Sequence, residues 1–127
     1  LNSMTEEKGN KMHTLQPVIT SKVFKVGNNR GKKRVWMEGN FLKNAGIIRG
    51  MKFSKRILKD GLQPMMVLDF DDQGPHTVAG TEQRPIIDMN GKYLADVLDD
   101  FPNYSASIHK FESISGISYS IIIGGTK

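Results

Sequence analysis

Lys25, Arg30, Lys32, Lys33 and Arg34 fall within ten residues, with no acid among them. Gly27, Gly31, Asn28 and Asn29 are interleaved with these cations. Such a mixture suits the holding of an anion. Glycine lets backbone amides come close to a phosphate. Asparagine tolerates left-handed backbone and can bond phosphates or base edges. Arginine and lysine complement guanine, and asparagine complements adenine, in a major groove. A merely solvated turn needs no such concentration of charge. Further along, Lys52, Lys55 and Arg56 can extend the same basic face. Equally, they can line the solvent side of an edge strand, where lysine discourages unwanted pairing. Trp36 follows the cations directly; a base or sugar can stack on it, but a lone tryptophan in a strand is expected in the core. Met37, Met51, Met65, Met66 and Met89 read as core filler.

No catalytic constellation accompanies this stretch. The chain has no cysteine, which excludes a disulfide scaffold, a thiolate zinc site and a cysteine nucleophile. His13, His76 and His109 are dispersed without metal-ligand spacing. Asp69, Asp71 and Asp72 read as a charged turn before Gly74-Pro75. Neither a Gly-x-Ser-x-Gly elbow nor a GxxxxGK[ST] loop occurs. The expectation is a non-enzyme without cofactor or metal.

Charge points to the partner. The net charge of +5 divides into +10 over residues 1–64 and −5 over residues 65–127. A basic half beside an acidic half suggests one face aimed at a polyanion, DNA or RNA. The acidic half offers an alternative, a docking surface for a protein partner or a second copy. No apolar run approaches the roughly 20 residues needed to cross a bilayer. No signal peptide is visible, so a cytoplasmic protein with no membrane partner is expected.

The elements that must position these residues are mostly strands. Leu1-Asn2-Ser3 before Met4 reads as a cloning remnant, residues 1–16 as a disordered tail, and residues 17–127 as one domain. Strands are expected at about 18–26, 34–37, 51–58 and 65–70, with a loop at 27–33 and a short helix at 40–45 stopped by Gly46. Asp60-Gly61 signals a hairpin turn. Residues 71–83 read as a linker. Strands at 85–89, 104–112 and 117–123 and a helix at 90–98 complete the second half.

At an offset of 52, Val35 falls on Ile87, Met37 on Met89, Gly39 on Gly91, Phe41 on Tyr93 and Leu42 on Leu94. Each half therefore reads β–short α–β–turn–β, over about 18–70 and 78–123. A unit so small cannot bury a core alone, and two copies solve that by packing together.

The strand–helix–hairpin segment "LKNAGIIRGMKF" resembles the SpoVT/AbrB swapped-hairpin DNA-binding family. Leu42, Gly46, Ile47 and Gly50 stand at that family's pattern positions, and Met51 replaces its usual acidic residue. "RVWMEGNFLKNAGI" is similar to a segment of SymE-like proteins. "KVGNNRGKKRVWMEG" with "PIIDMNGKYL" is similar to a region preceding some bacterial DNA cytosine methyltransferases. The resemblance covers about residues 22–123. It implies a mainly β fold with short helices, in which two β-α-β-β repeats pack as a single-chain, pseudo-dimeric AbrB-like barrel. It also implies a bacterial DNA-binding module, a transcription regulator or the target-recognition part of a restriction-modification system. A protein-interaction or antitoxin-like module and a SymE-like RNA-directed toxin remain the alternatives. The residues expected at nucleic acid are Lys25, Asn28, Asn29, Arg30, Lys32, Lys33, Arg34, Lys52, Lys55 and Arg56.

Overall fold

The computed structural model describes residues 18–59 and 61–127. The expected tail, the onset of order near Pro17 and the Asp60 half of the turn signal lie outside them. The chain is mainly β with short helices. Among the described residues ten strands run as β1 (Val18–Lys25), β2 (Gly27–Asn29), β3 (Lys32–Glu38), β4 (Lys52–Leu58), β5 (Met65–Phe70), β6 (His76–Thr77), β7 (Ala79–Gly80), β8 (Pro85–Asn90), β9 (Asn103–Ser113) and β10 (Gly116–Thr126). Helix α1 (Asn40–Lys43) follows β3; a 3-10 turn (Lys92–Leu94) leading into α2 (Ala95–Leu98) follows β8. None of these helices is long and apolar enough to cross a membrane.

Period-two alternation decides which side chains enter the core. Val35 and Met37 of β3, Ile87 and Met89 of β8, Tyr104, Ala106 and Ile108 of β9, and Ile121 and Ile123 of β10 are buried. They join Leu42, Ile47, Leu94, Val97 and Leu98 from the helical segments in one apolar cluster. A four-residue helix has too little internal bonding to stand alone. α1 is held by its apolar contacts and by its exit. The Ile47 N–H donates to the Leu42 carbonyl at 3.0 Å and the Gly46 N–H to the Lys43 carbonyl at 3.0 Å. Gly46 has φ 99°. That is the Schellman stop, with Leu42 and Ile47 as its buried contact pair.

Among the described residues two antiparallel sheets result, a six-stranded one ordered β1-β9-β10-β5-β4-β6 and a four-stranded one ordered β2-β3-β8-β7. Both orders are unchanged when each first-half strand is exchanged for its second-half counterpart. The register repeats as well. Gly27 faces Arg34 and, 52 residues later, Ala79 faces Ile86. Phe53 faces Phe70 and, 53 residues later, Ala106 faces Ile123. Trp36 opposes Asp88, and Leu68 opposes Ile121, so counterpart strands meet at the centre of each sheet. The first strand of each half lies against the other half: β1 on β9, β6 on β4.

Four expectations need correction. Neither sheet closes on itself among the described residues, so the barrel is not found in closed form; β1 and β6 end one sheet, β2 and β7 the other. Residues 27–33 are no free loop, because β2 and β3 pair across them. The linker at 71–83 contains β6 and β7, with buried Val78 carrying the chain from one sheet to the other. Trp36 is not core: lying between inward Val35 and Met37 it must point outward, and it is 36% exposed.

Candidate nucleic-acid interface

The basic stretch forms the β2–β3 hairpin. Asn28 faces Lys33 and Asn29 faces Lys32, leaving Arg30 and Gly31 as a two-residue turn. Both have positive φ, 56° and 81°. This is the pattern of a type I′ turn, whose twist matches that of the strands. The Asn28 side-chain oxygen accepts from the Gly31 N–H at 3.0 Å and fixes the turn. Glycine accepts such backbone freely, whereas arginine there costs about 1–2 kcal/mol. The fold thus bears a local cost while presenting a guanidinium at the hairpin tip.

The alternation that buries Val35 and Met37 sends Lys32, Arg34, Trp36 and Glu38 to the outer face of the small sheet. Their neighbours on β8 are Ile86, Asp88 and Asn90. Arg34 is committed: it donates to both Asp88 oxygens at 2.9 and 3.0 Å, and its guanidinium lies 4.5 Å from the Trp36 ring centroid. At the other end of the face, Arg84 pairs with Glu38 at 2.7 Å. The hydrogen bond from Arg84, with a further one from the Trp36 side chain, holds the Glu38 carboxyl below its ordinary range.

Lys32 occupies the place in the first half that Arg84 occupies in the second, and Asn90 the place of Glu38. The lysine therefore faces an amide where the arginine faces a carboxylate. Asn29, Arg30, Lys32 and Asn90 line a recess of about 260 Å³. Among the described residues no ion pair engages Arg30, Lys32 or Lys33. Lys25, exposed at the end of β1, is separated from the hairpin by Val26 alone.

The second basic cluster does not gather with the first. Lys52 and Arg56 point to the outer face of the large sheet, and Arg56 is tied to Asp69 at 2.7 Å. Lys55 points inward, opposite buried Leu68. It donates to the Tyr93 hydroxyl at 2.7 Å, with its ammonium 4.0 Å from that ring's centroid. The structure thus gathers Asn28, Asn29, Arg30, Lys32 and Lys33 on one hairpin, with Asn29 and Lys32 on its outer face, Asn28 and Lys33 on the other, and Lys25 adjoining. It occupies Arg34 and Arg56 elsewhere and separates Lys52 from the hairpin.

Three contributors escaped the sequence reading: Asn90, Glu38 and Asp88. The offset of 52 that pairs Gly39 with Gly91 also pairs Glu38 with Asn90, so the loss of a neutralising carboxylate was visible there. The Arg34–Asp88 pair had no such signal, since it depends on strand register. Compared with known proteins, the chain matches no family model, no curated protein and no solved structure.

Proposed function

We propose that this protein is a non-catalytic nucleic-acid-binding module, with DNA as the first choice of ligand. It uses the β2–β3 hairpin to grip the phosphate backbone. The observation that carries this reading is the tip itself: Arg30 on a two-residue turn fixed by Asn28, with Lys32 and Lys33 on the strand that leaves it, and no ion pair to any of the three among the described residues. Fixed cations release condensed counterions from a polyanion, and the resulting affinity falls steeply with salt. Asn28 and Asn29 stand beside the cations; Asn29 faces the same recess and can reach base edges.

In this reading the chain is a pseudo-dimer in one polypeptide, with AbrB-like interleaving of two β-α-β-β repeats. The exchanged strand order, the repeated register and the resemblance of the "LKNAGIIRGMKF" segment support it. Only one of the two hairpins is cationic, so a non-palindromic target fits better than a palindrome. Selection of a site for transcriptional regulation or for a modification system follows from where the module sits. Cytosine-C5 methylation by this chain is not proposed, because that chemistry needs a cysteine.

Fluorescence anisotropy with random duplex DNA across a salt series tests the proposal, comparing wild type with Arg30→Ala/Lys32→Ala/Lys33→Ala. The expected result is a steep salt slope that flattens in the variant by about 0.9 log unit per log unit of salt for each phosphate no longer neutralised. Equal slopes in the two proteins, or no binding at low salt, would refute it.

A further inference from the structure

The free edge of β8 has no equivalent in the first half. β7 pairs with β8 only at Pro85 and Ile86. Beyond them, Asp88 to Asn90 have no strand partner on that side among the described residues. Thr81 and Arg84 exchange backbone hydrogen bonds, and the Gly39 N–H donates to the Pro85 carbonyl. Antiparallel alternation then turns the N–H and C=O of Asp88 outward, away from β3. The counterpart group on β3 is Trp36. Its N–H donates to the Tyr104 hydroxyl at 3.2 Å, and that hydroxyl donates to the Trp36 carbonyl at 3.1 Å. Tyr104 thus plugs the edge of the first half. The residue 53 positions earlier is Met51, which has no hydroxyl.

A cleft of about 550 Å³ lies along the unplugged edge, lined among others by Phe53, Lys55, His76, Asp88, Asn90 and Tyr93. It meets the hairpin recess at Asn90, which lines both. The carboxylate of Asp88, one of the lining residues, is already neutralised by Arg34. Lys55 is held there by a neutral hydroxyl rather than a carboxylate. Tyr93, with one ring face under the Lys55 ammonium, and His76 supply rings, and Asn90 and the Asp88 backbone supply donors and acceptors for a base edge. The volume falls within the range of small-ligand sites, roughly 300–1,000 Å³.

From this we infer that the cleft takes one unpaired nucleotide strand, its phosphates running from Arg30 and Lys32 towards Lys55 and a base lying against Tyr93. This rests on the nucleic-acid reading above and specifies its ligand: an intact duplex keeps its base faces stacked inside and cannot fill the cleft.

The test measures anisotropy with labelled oligo-dT, oligo-U and a random duplex against wild type, Lys55→Met and the hairpin triple variant. The expected outcome is that Lys55→Met weakens binding of at least one single strand about tenfold and leaves the duplex unaffected. The duplex arm also reports that this variant is folded. The triple variant weakens every probe. Unchanged single-strand affinity in Lys55→Met, with weaker binding in the triple variant, overturns the cleft and keeps the hairpin. No binding of any probe overturns both. A second measurement needs no variant: photocrosslinking of a strand carrying 4-thiothymidine to the wild type. Adducts at Tyr93 or His76 support the cleft, and adducts confined to residues 25–38 refute it.

Discussion

The hairpin that turns at Arg30-Gly31 and the one that turns at Glu82-Gln83 share one register, 52 residues apart, at opposite ends of the same sheet. Their surfaces differ. The first holds Arg30, Lys32 and Lys33, with Asn90 opposite Lys32. At the matching places the second holds Glu82, Arg84 and Pro85, with Glu38 opposite the arginine. A backbone built twice therefore carries one cationic tip and one neutralised tip. Strand register and core packing demand residues of a given size and polarity at inward positions. They demand nothing of the outward ones, which are free to diverge towards a ligand.

If the halves are equal inside, matching core truncations should cost alike. Leu42→Ala and Leu94→Ala, both at fully buried counterpart positions, are each expected to lose about 2–5 kcal/mol in chemical denaturation. A large disparity would show that one half carries the core. The edge plug is asymmetric, and Tyr104→Phe leaves the Trp36 backbone groups unsatisfied. A destabilisation of about 1–3 kcal/mol is expected. Burial has pushed the Tyr104 hydroxyl up to about 12, so it stays protonated through neutral pH and the plug persists.

The outward difference can be reversed with single charges. Asn90→Glu gives Lys32 the partner that Glu38 gives Arg84. It should flatten the salt dependence of binding by about 0.9 log unit per log unit of salt, the equivalent of one phosphate. Glu38→Gln does the opposite and frees Arg84, and a slope steeper than wild type would show the second tip recruited. Acid should mimic that change. The Glu38 pKa is depressed by Arg84, so its contribution is present above the ordinary carboxylate value of 4.5 and disappears as pH falls through the lowered one.

The smallest effect belongs to His76. Burial first, and Lys55 second, lower its pKa from 6.5. The folded protein therefore resists a proton that the unfolded chain accepts. Stability should decline as pH falls below about 6.5, and His76→Phe should remove that part of the decline. A thermal unfolding series between pH 7 and pH 5 measures it.

Much of this was legible in the residues. Alternation placed most strands within one or two residues of where they lie, because each strand buries one face. Gly46 marked the helix end because only glycine enters that backbone region freely. The repeat emerged from a single offset, and the cationic stretch was evident from composition. Trp36 was misplaced although the same alternation, with Val35 and Met37 inward, sends it outward. β6 and β7 were missed because two-residue strands leave no periodic pattern.

The sequence by itself determined the strand-rich composition, the two-fold repetition and the concentration of positive charge before Trp36. Those are local or additive properties, carried by neighbouring residues and by simple counts. Tertiary structure alone decided which cations remain available. Arg34 is occupied by Asp88, 54 residues away, and Arg56 by Asp69, 13 residues away. Lys32 is left facing Asn90. A charge is neutralised by whatever carboxylate lies within a few ångströms, and that distance is set by how strands from the two halves align.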